Sequence, residues 1–82
     1  MSTVELYTAA GCHLCERARA ELEPLASELG FEITEIDIAT DAALERSYRR
    51  WIPVIEVAGE RVSVYRVDAE ALRARLARAR DD

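Results

Sequence analysis

Two cysteines, Cys12 and Cys15, are the residues of this sequence best suited to covalent chemistry. They are the only cysteines among its 82 residues, and two residues separate them in a C-x-x-C unit. The unit follows a short apolar segment and opens a segment whose apolar residues recur at helical spacing. A cysteine at the start of a helix meets unpaired N–H groups and the positive end of the helix dipole, which favour the thiolate. The pattern therefore predicts a redox-active dithiol.

The two sulfurs are predicted to have different roles. Cys15 falls near the apolar stripe of the predicted helix, whereas Cys12 precedes the first full turn, so Cys12 should be accessible and Cys15 partly buried. In this hypothesis the Cys12 thiolate attacks a substrate disulfide, and Cys15 then resolves the mixed disulfide. Gly11 permits the tight turn before them. His13, when protonated beside Cys12, would favour the thiolate and is the predicted tuning residue.

Several other interpretations of the C-x-x-C unit stay open at this level. The thiols could be inert, or Cys12, His13 and Cys15 could bind zinc with a fourth ligand from a second chain or an acidic residue. An iron–sulfur cluster between two chains would need four sulfur ligands. His13 could also be a solvated turn residue. Our expectation is no metal and no cofactor beyond the redox-active disulfide itself.

Composition limits the class of protein. The 82 residues, half of them apolar, predict a single domain, residues 1–82, with one modest core. No apolar run approaches the roughly 20 residues needed to span a bilayer, and the N-terminus lacks the features of a signal peptide. A net charge of −5 argues against nucleic acid as a partner. We expect a cytoplasmic protein, where a close cysteine pair indicates a working dithiol.

The order of predicted elements is βαβαββα. Strands are expected at residues 4–8, 31–38, 52–57 and 62–66, with a hairpin turn at Ala58 and Gly59. The first helix should run to near Gly30, continue through a kink at Pro24, and bury one stripe: Leu14, Ala18, Leu22, Leu25 and Leu29. A short helix follows a cap at Thr40 or Asp41. The last helix is capped by Asp68 and shares one apolar face, formed by Leu72, Leu76 and Ala79.

This pattern predicts an α/β fold with a four-stranded mixed sheet and helices on both faces. The first two strands, joined through a helix, should be parallel, and the last two should form an antiparallel hairpin at the edge.

Two segments carry a family resemblance: Tyr7-Thr8-Ala9-Ala10-Gly11-Cys12-His13-Leu14-Cys15 and Trp51-Ile52-Pro53-Val54. With them the chain resembles the glutaredoxin-like branch of the thioredoxin superfamily over essentially its whole length. The resemblance implies a thioredoxin-like fold and a dithiol–disulfide oxidoreductase that reduces protein or mixed disulfides. It also implies that Pro53 is cis and that the Ile52 backbone pairs with the bound thiol peptide. A non-catalytic binding module that docks a partner beside Pro53, with or without a bridging metal, is the alternative on the same fold.

The resemblance also suggests where a thiol ligand would lie. Glutaredoxins hold glutathione with a lysine, here Ala9, and with paired glycines, here Ser63 and Val64. Arg49 and Arg50 match the part of the family pattern that meets the glycyl carboxylate, a contact that arginine suits.

Trp51, the next residue, is expected to be half-buried beside the site, either as packing or as a wall that faces substrate.

Two further stretches, residues 53–55 and 64–68, look like the glutaredoxin-like electron donors of ribonucleotide reductase, which thioredoxin reductase reduces. The implied substrates are a disulfide-containing protein or the disulfide of a low-molecular-weight thiol. The implied source of electrons is a low-molecular-weight thiol, acting as co-substrate, or a reductase of the thioredoxin reductase type.

Overall fold

The computed structural model describes residues 2–81, and side chains for residues 2–78. Its helices and strands follow the predicted order, with one additional 3₁₀ turn at Ile38–Thr40. The strands are β1 (Ser2–Thr8), β2 (Phe31–Asp37), β3 (Val54–Val57) and β4 (Glu60–Val64), and the helices are α1 (His13–Leu29), α2 (Ala42–Tyr48) and α3 (Ala69–Asp81). No helix in the described range is both long enough and apolar enough to cross a bilayer.

The four strands form one mixed sheet in the order β2-β1-β3-β4. β1 is parallel to β2 and antiparallel to β3, and β3 and β4 form the predicted antiparallel hairpin. Its turn residues, Ala58 and Gly59, have φ values of 52° and 80°, the positive values that two-residue hairpin loops require. The predicted parallel pair and edge hairpin are therefore confirmed.

Helices cover both faces of the sheet, as predicted. One core lies between the sheet and the pair α1 and α3, and contains Val4, Leu6, Ile55, Leu22 and Leu72 among other buried residues. The second core lies on the opposite face, where Tyr7 and Val54 pack with Leu44 and Tyr48 of α2. Alternate residues of β1 and β3 thus point to different helices, as the two-residue period of a strand requires.

α1 runs unbroken through Pro24, as predicted, and ends at Gly30, whose φ of 74° suits a glycine C-cap. Its buried residues are Cys15, Ala18 and Leu22. The prediction that Leu14 belongs to this buried stripe is wrong, because Leu14 is 49% exposed. Cys15 takes the inward position of the first turn, because it lies three residues before Ala18 and seven before Leu22. Leu14 is therefore on the outer side of the helix.

The last two strands are shorter or shifted relative to their predicted bounds. β3 begins at Val54, so Ile52 lies before the strand, because Pro53 has no N–H for the ladder and its peptide bond is cis. β4 runs from Glu60 to Val64 instead of residues 62–66. Tyr65 has a φ of 70°, a left-handed conformation that ends the extended strand.

The last two helices have the predicted caps. Asp41 caps α2, accepting hydrogen bonds from the N–H groups of Ala43 and Leu44, and Asp68 accepts one from Ala71 at the start of α3. Leu72 and Leu76 are buried as expected. The side chain of Ala79, the third predicted member of that face, lies outside the described residues.

A polar network anchors α2 to the sheet. The Tyr48 hydroxyl donates a 2.9 Å hydrogen bond to Glu56 Oε2, and Glu56 is only 6% exposed. The Tyr7 ring stacks on the Tyr48 ring with a centroid distance of 4.1 Å, and the Arg61 guanidinium lies 5.5 Å from the Tyr48 ring centroid. These contacts fix the helix that leads directly to residues 49–53.

We expect Tyr48→Phe to lower the free energy of unfolding by about 1–3 kcal/mol, because it leaves the buried Glu56 carboxylate without its tyrosine donor. Urea unfolding of the oxidised protein measures this change. The double variant Tyr48→Phe with Glu56→Leu should cost less than Tyr48→Phe alone, since both polar partners are then removed together. Equal or larger losses in the double variant would show that the Tyr48–Glu56 bond does not anchor α2.

The stability of the fold should fall above pH 10. Burial, followed by a hydrogen bond to Tyr48, raises the pKa of Tyr7, and burial, followed by the Glu56 hydrogen bond, raises the pKa of Tyr48. Above about pH 10 the folded chain holds more of these two protons than the unfolded chain, so the free energy of unfolding declines with pH. The sequence has no lysine, so tyrosines dominate this pH range.

Urea unfolding between pH 9 and pH 11.5 should show this decline in the oxidised protein, with a slope of up to about 1.4 kcal/mol per pH unit for each tyrosine. Tyr7→Phe should make the slope shallower. An unchanged slope in that variant would contradict the raised Tyr7 pKa.

Candidate active site

The two cysteines lie where β1 ends and α1 begins. Cys12 and Cys15 form a disulfide with a Cα–Cα distance of 5.2 Å. Gly11, just before them, has a φ of 76°, which explains why a glycine suits this turn. The Cys12 N–H donates a 3.4 Å hydrogen bond to the Ala9 carbonyl and closes the turn. The local sequence thus brings both sulfurs to the N-terminal end of α1.

The two sulfurs differ in burial and in their hydrogen bonds. Cys15 is 2% exposed, whereas Cys12 is partly exposed, as the helical spacing predicts. Cys12 is the N-cap of α1, and its Sγ accepts a 3.2 Å hydrogen bond from the Cys15 N–H. After reduction, this N–H and the positive end of the helix dipole favour a thiolate at Cys12 over one at Cys15. Cys12 is therefore the better placed nucleophile.

His13 lies beside Cys12 but points into solvent. Its side chain is 97% exposed, and its Nδ1 lies 3.6 Å from Glu16 Oε2. The charge of a protonated His13 is therefore screened by water and shared with a carboxylate, which weakens its effect on Cys12. Tuning of Cys12 by His13 stays a prediction.

The Ile52–Pro53 peptide bond is cis, as the family resemblance implies. Pro53 is fully buried, whereas Ile52 is half-buried and packs on the core beneath α2. Among the described residues, no backbone hydrogen bond outside the helices and strands uses the N–H or carbonyl of Ile52. Those two groups are consequently available to a ligand.

One open groove, of about 350 Å³, joins Cys12 to Ile52. Ala39, Glu45 and Arg49 line the same groove, so it extends from the sulfur to the last turn of α2. The Arg49 Nη1 lies 3.3 Å from Glu45 Oε1, an exposed ion pair between residues four apart. The groove thus offers a sulfur at one end and a paired arginine at the other.

Arg50 and Trp51 lie in the chain between Arg49 and Ile52, two residues that line this groove. The Arg50 carbonyl accepts a 2.8 Å hydrogen bond from the Tyr65 hydroxyl, and its side chain is exposed. Trp51 is 42% exposed, and its ring lies 6.1 Å from the Tyr65 ring, between centroids. Of the sequence-predicted site residues, the groove brings together Gly11, Cys12, Arg49 and Ile52, and the side chains of Arg50 and Trp51 are not part of its lining.

Sequence reasoning missed two residues here. Glu45 could have been found, because an acidic residue four positions before an arginine on a helix commonly pairs with it. Tyr65 gave no signal, because its positive φ and its two hydrogen bonds to residues 50 and 53 depend on where β4 ends.

Within residues 2–78, no group of three or more histidine, cysteine, aspartate or glutamate side chains is arranged to hold a metal ion. A zinc site at Cys12, His13 and Cys15 would therefore need a ligand from elsewhere.

Comparison with known proteins agrees with this geometry. The chain is 38% identical over 81 residues to the uncharacterized protein Rv0508 of Mycobacterium tuberculosis, covering 93% of this chain and 84% of that protein. Its fold is similar to the solution structure of protein Ne2328 from Nitrosomonas europaea, with a TM-score of 0.81, 29% identity, and coverage of 90% of this chain and 89% of that one.

A mutant thioredoxin from Halobacterium salinarum also matches, with a TM-score of 0.59, 26% identity, and coverage of 89% of this chain and 69% of that one. The fold is therefore thioredoxin-like, and its C-x-x-C disulfide supports a redox-type function. The model of the glutaredoxin-like domain (DUF836) matches residues 3–77. The chain belongs to this family of glutaredoxin-like domains.

Proposed function

We propose that this protein is a dithiol–disulfide oxidoreductase that reduces protein or mixed disulfides through Cys12 and Cys15. The observation that carries the proposal is the asymmetry of the two sulfurs at the start of α1. Cys12 caps the helix at the mouth of a groove and accepts the Cys15 N–H, while Cys15 is buried behind it. This arrangement suits one sulfur for attack and the other for resolution.

The reaction proceeds in two thiol–disulfide exchanges. The Cys12 thiolate attacks one sulfur of the substrate disulfide, forms a Cys12–substrate bond, and releases the other substrate sulfur as a thiolate. The Cys15 thiolate then attacks Cys12 Sγ and expels the second substrate thiolate. The two cysteines lose two electrons and become the disulfide, while the two substrate sulfurs gain them.

The groove suggests how a thiol ligand would bind. A substrate sulfur at Cys12 would place the adjoining backbone against the free N–H and carbonyl of Ile52, beside Pro53. Arg49 offers a guanidinium at the far end for a carboxylate, in competition with Glu45. Ala9, at the family's lysine position, adds no second cation.

We propose that electrons return to the dithiol from a low-molecular-weight thiol or from a reductase of the thioredoxin reductase type, with no further cofactor. The substrates would be disulfide-containing proteins or disulfides of small thiols. The cytoplasm is the compartment we propose, since its thiol pools would keep the dithiol reduced.

We expect Cys15→Ser to accumulate a mixed disulfide at Cys12, because the resolving thiolate is missing. The reduced variant is incubated with glutathione disulfide or a disulfide-containing protein, and intact mass measures the adduct. Cys12→Ser is the matched control and should form little or no adduct, since Cys15 is 2% exposed. Free Cys12 in the Cys15→Ser variant after this treatment would overturn the assignment of roles.

The helix N-terminus should lower the pKa of Cys12 below the ordinary thiol value of about 8.5. The rate of iodoacetamide alkylation of the reduced protein, followed from pH 4 to pH 10, measures the midpoint. His13→Ala should raise that midpoint by less than about one pH unit, because the His13 side chain is 97% exposed. A larger rise would assign the main stabilisation of the thiolate to His13 rather than to the helix.

A further inference from the structure

Exposed apolar side chains lie within the C-x-x-C unit and in the two chain segments that meet at Pro53. In the described part of the chain, three large apolar side chains are exposed: Leu14 at 49%, Trp51 at 42% and Tyr65 at 46%. Leu14 lies between the two cysteines, and Trp51 precedes Ile52, which lines the groove with Cys12. Clustering of exposed apolar residues at one place is typical of an interaction surface.

Tyr65 holds Trp51 in this position at a conformational cost. Its N–H donates to the Pro53 carbonyl at 2.8 Å, and its hydroxyl donates to the Arg50 carbonyl at 2.8 Å. These two bonds bracket the segment that contains Trp51 and Ile52. A φ of 70° in a bulky residue is unusual and unfavourable, and residues held in such conformations cluster at functional sites.

Two arginines flank the aromatic pair. Arg50 precedes Trp51 and Arg66 follows Tyr65, and both side chains are exposed. Neither guanidinium has an ion-pair partner among the described residues, which is also true of Arg17 and Arg46, whereas Arg19, Arg49 and several arginines of α3 are paired. The whole chain carries a net charge of −5, but these two cations, next in sequence to Trp51 and Tyr65, are free to pair with acidic groups of a ligand. Arg50, Trp51, Tyr65 and Arg66 together form what we call the aromatic–arginine ridge.

We propose that the aromatic–arginine ridge docks an acidic, partly apolar polypeptide segment of a protein whose disulfide is presented to Cys12. The aromatic rings would cover an apolar side chain of that segment, and Arg50 and Arg66 would pair with its carboxylates. None of the four ridge residues lines the groove that contains Cys12, so a small thiol disulfide held in that groove gains no contact with the ridge. The ridge therefore selects protein disulfides over small ones. This inference rests on the proposed function.

Three synthetic peptides test the charge preference. Each contains one cysteine joined as a mixed disulfide to a coloured aryl thiol, with one leucine nearby and with flanking residues that are acidic, basic or neutral. Cys12 attacks the peptide sulfur and releases the aryl thiolate, and Cys15 then releases the peptide thiol as the Cys12–Cys15 disulfide forms. Pre-reduced protein supplies both electrons. Stopped-flow absorbance gives the second-order rate constant of aryl thiolate release.

The acidic peptide should react about fivefold or more faster than the basic one at low salt, and the difference should shrink at high salt. Arg66→Glu should remove or reverse this preference, while the neutral peptide and bis(2-hydroxyethyl) disulfide react as with the wild type. The Arg66 side chain makes no contact that folding needs, because Ser63 bonds only its carbonyl. Arg78→Glu is the control: it makes the same change of charge on α3, where Arg78 pairs with Glu60. This variant should keep the preference for the acidic peptide.

Tyr65→Gly tests the aromatic part, because glycine adopts the φ of 70° without strain while the ring is lost. It should slow the acidic and the neutral peptide by similar, severalfold factors and keep the charge preference, because the lost ring would contact the apolar side chain of either peptide. Equal rates for acidic and basic peptides, or equal effects of Arg66→Glu and Arg78→Glu, would overturn the docking proposal alone. Failure of reduced wild-type protein to react with any probe would instead overturn the proposed function.

Discussion

The packing of α1 against the central strand β1 controls where both sulfurs lie. Ala18 and Leu22 are buried against Val4 and Leu6, and this contact sets the rotation of the helix about its axis. Cys15, on the same side as Ala18, is then turned inward, and Cys12 is left at the cap. The difference in exposure between the two sulfurs therefore comes from helix packing rather than from the chemistry of either side chain.

The other half of the site is positioned from the opposite face of the sheet. Tyr7 and Tyr48 stack there, and Tyr48 reaches the buried Glu56. The chain leaves α2 after Tyr48, passes through residues 49–53, and enters β3 beside β1. Because β1 pairs with β3 and also leads to the dithiol turn, the proline segment and the cysteines meet at the same end of these two central strands. The ion pair of Glu45 and Arg49 lies on this path and moderates the positive charge of the groove.

The sequence was most informative where a pattern was local. The C-x-x-C unit, the Ala58–Gly59 turn and the caps at Asp41 and Asp68 each depend on a few neighbouring residues, and each has the predicted structure. The cis form of Pro53 came from a family resemblance instead. Errors arose at the ends of elements. The predictions place Leu14 in the buried stripe and β4 two residues too late. Neither the first turn of a helix nor the end of an edge strand contains a complete hydrophobic repeat from which its position can be predicted.

The sequence by itself determined the chemistry available, because the chain has only two thiols. Their separation by two residues at a strand-to-helix turn is a local property of the chain. The sequence also determined the order of the elements, since hydrophobic periodicity persists along each of them. Tertiary structure alone decided which side chains surround the dithiol. The groove that Cys12 shares with Glu45 and Arg49, and the bonds from Tyr65 to Arg50 and Pro53, depend on contacts between separate elements and on one left-handed backbone residue. Such contacts follow from the packing of the sheet with its helices, and no single segment of sequence contains them.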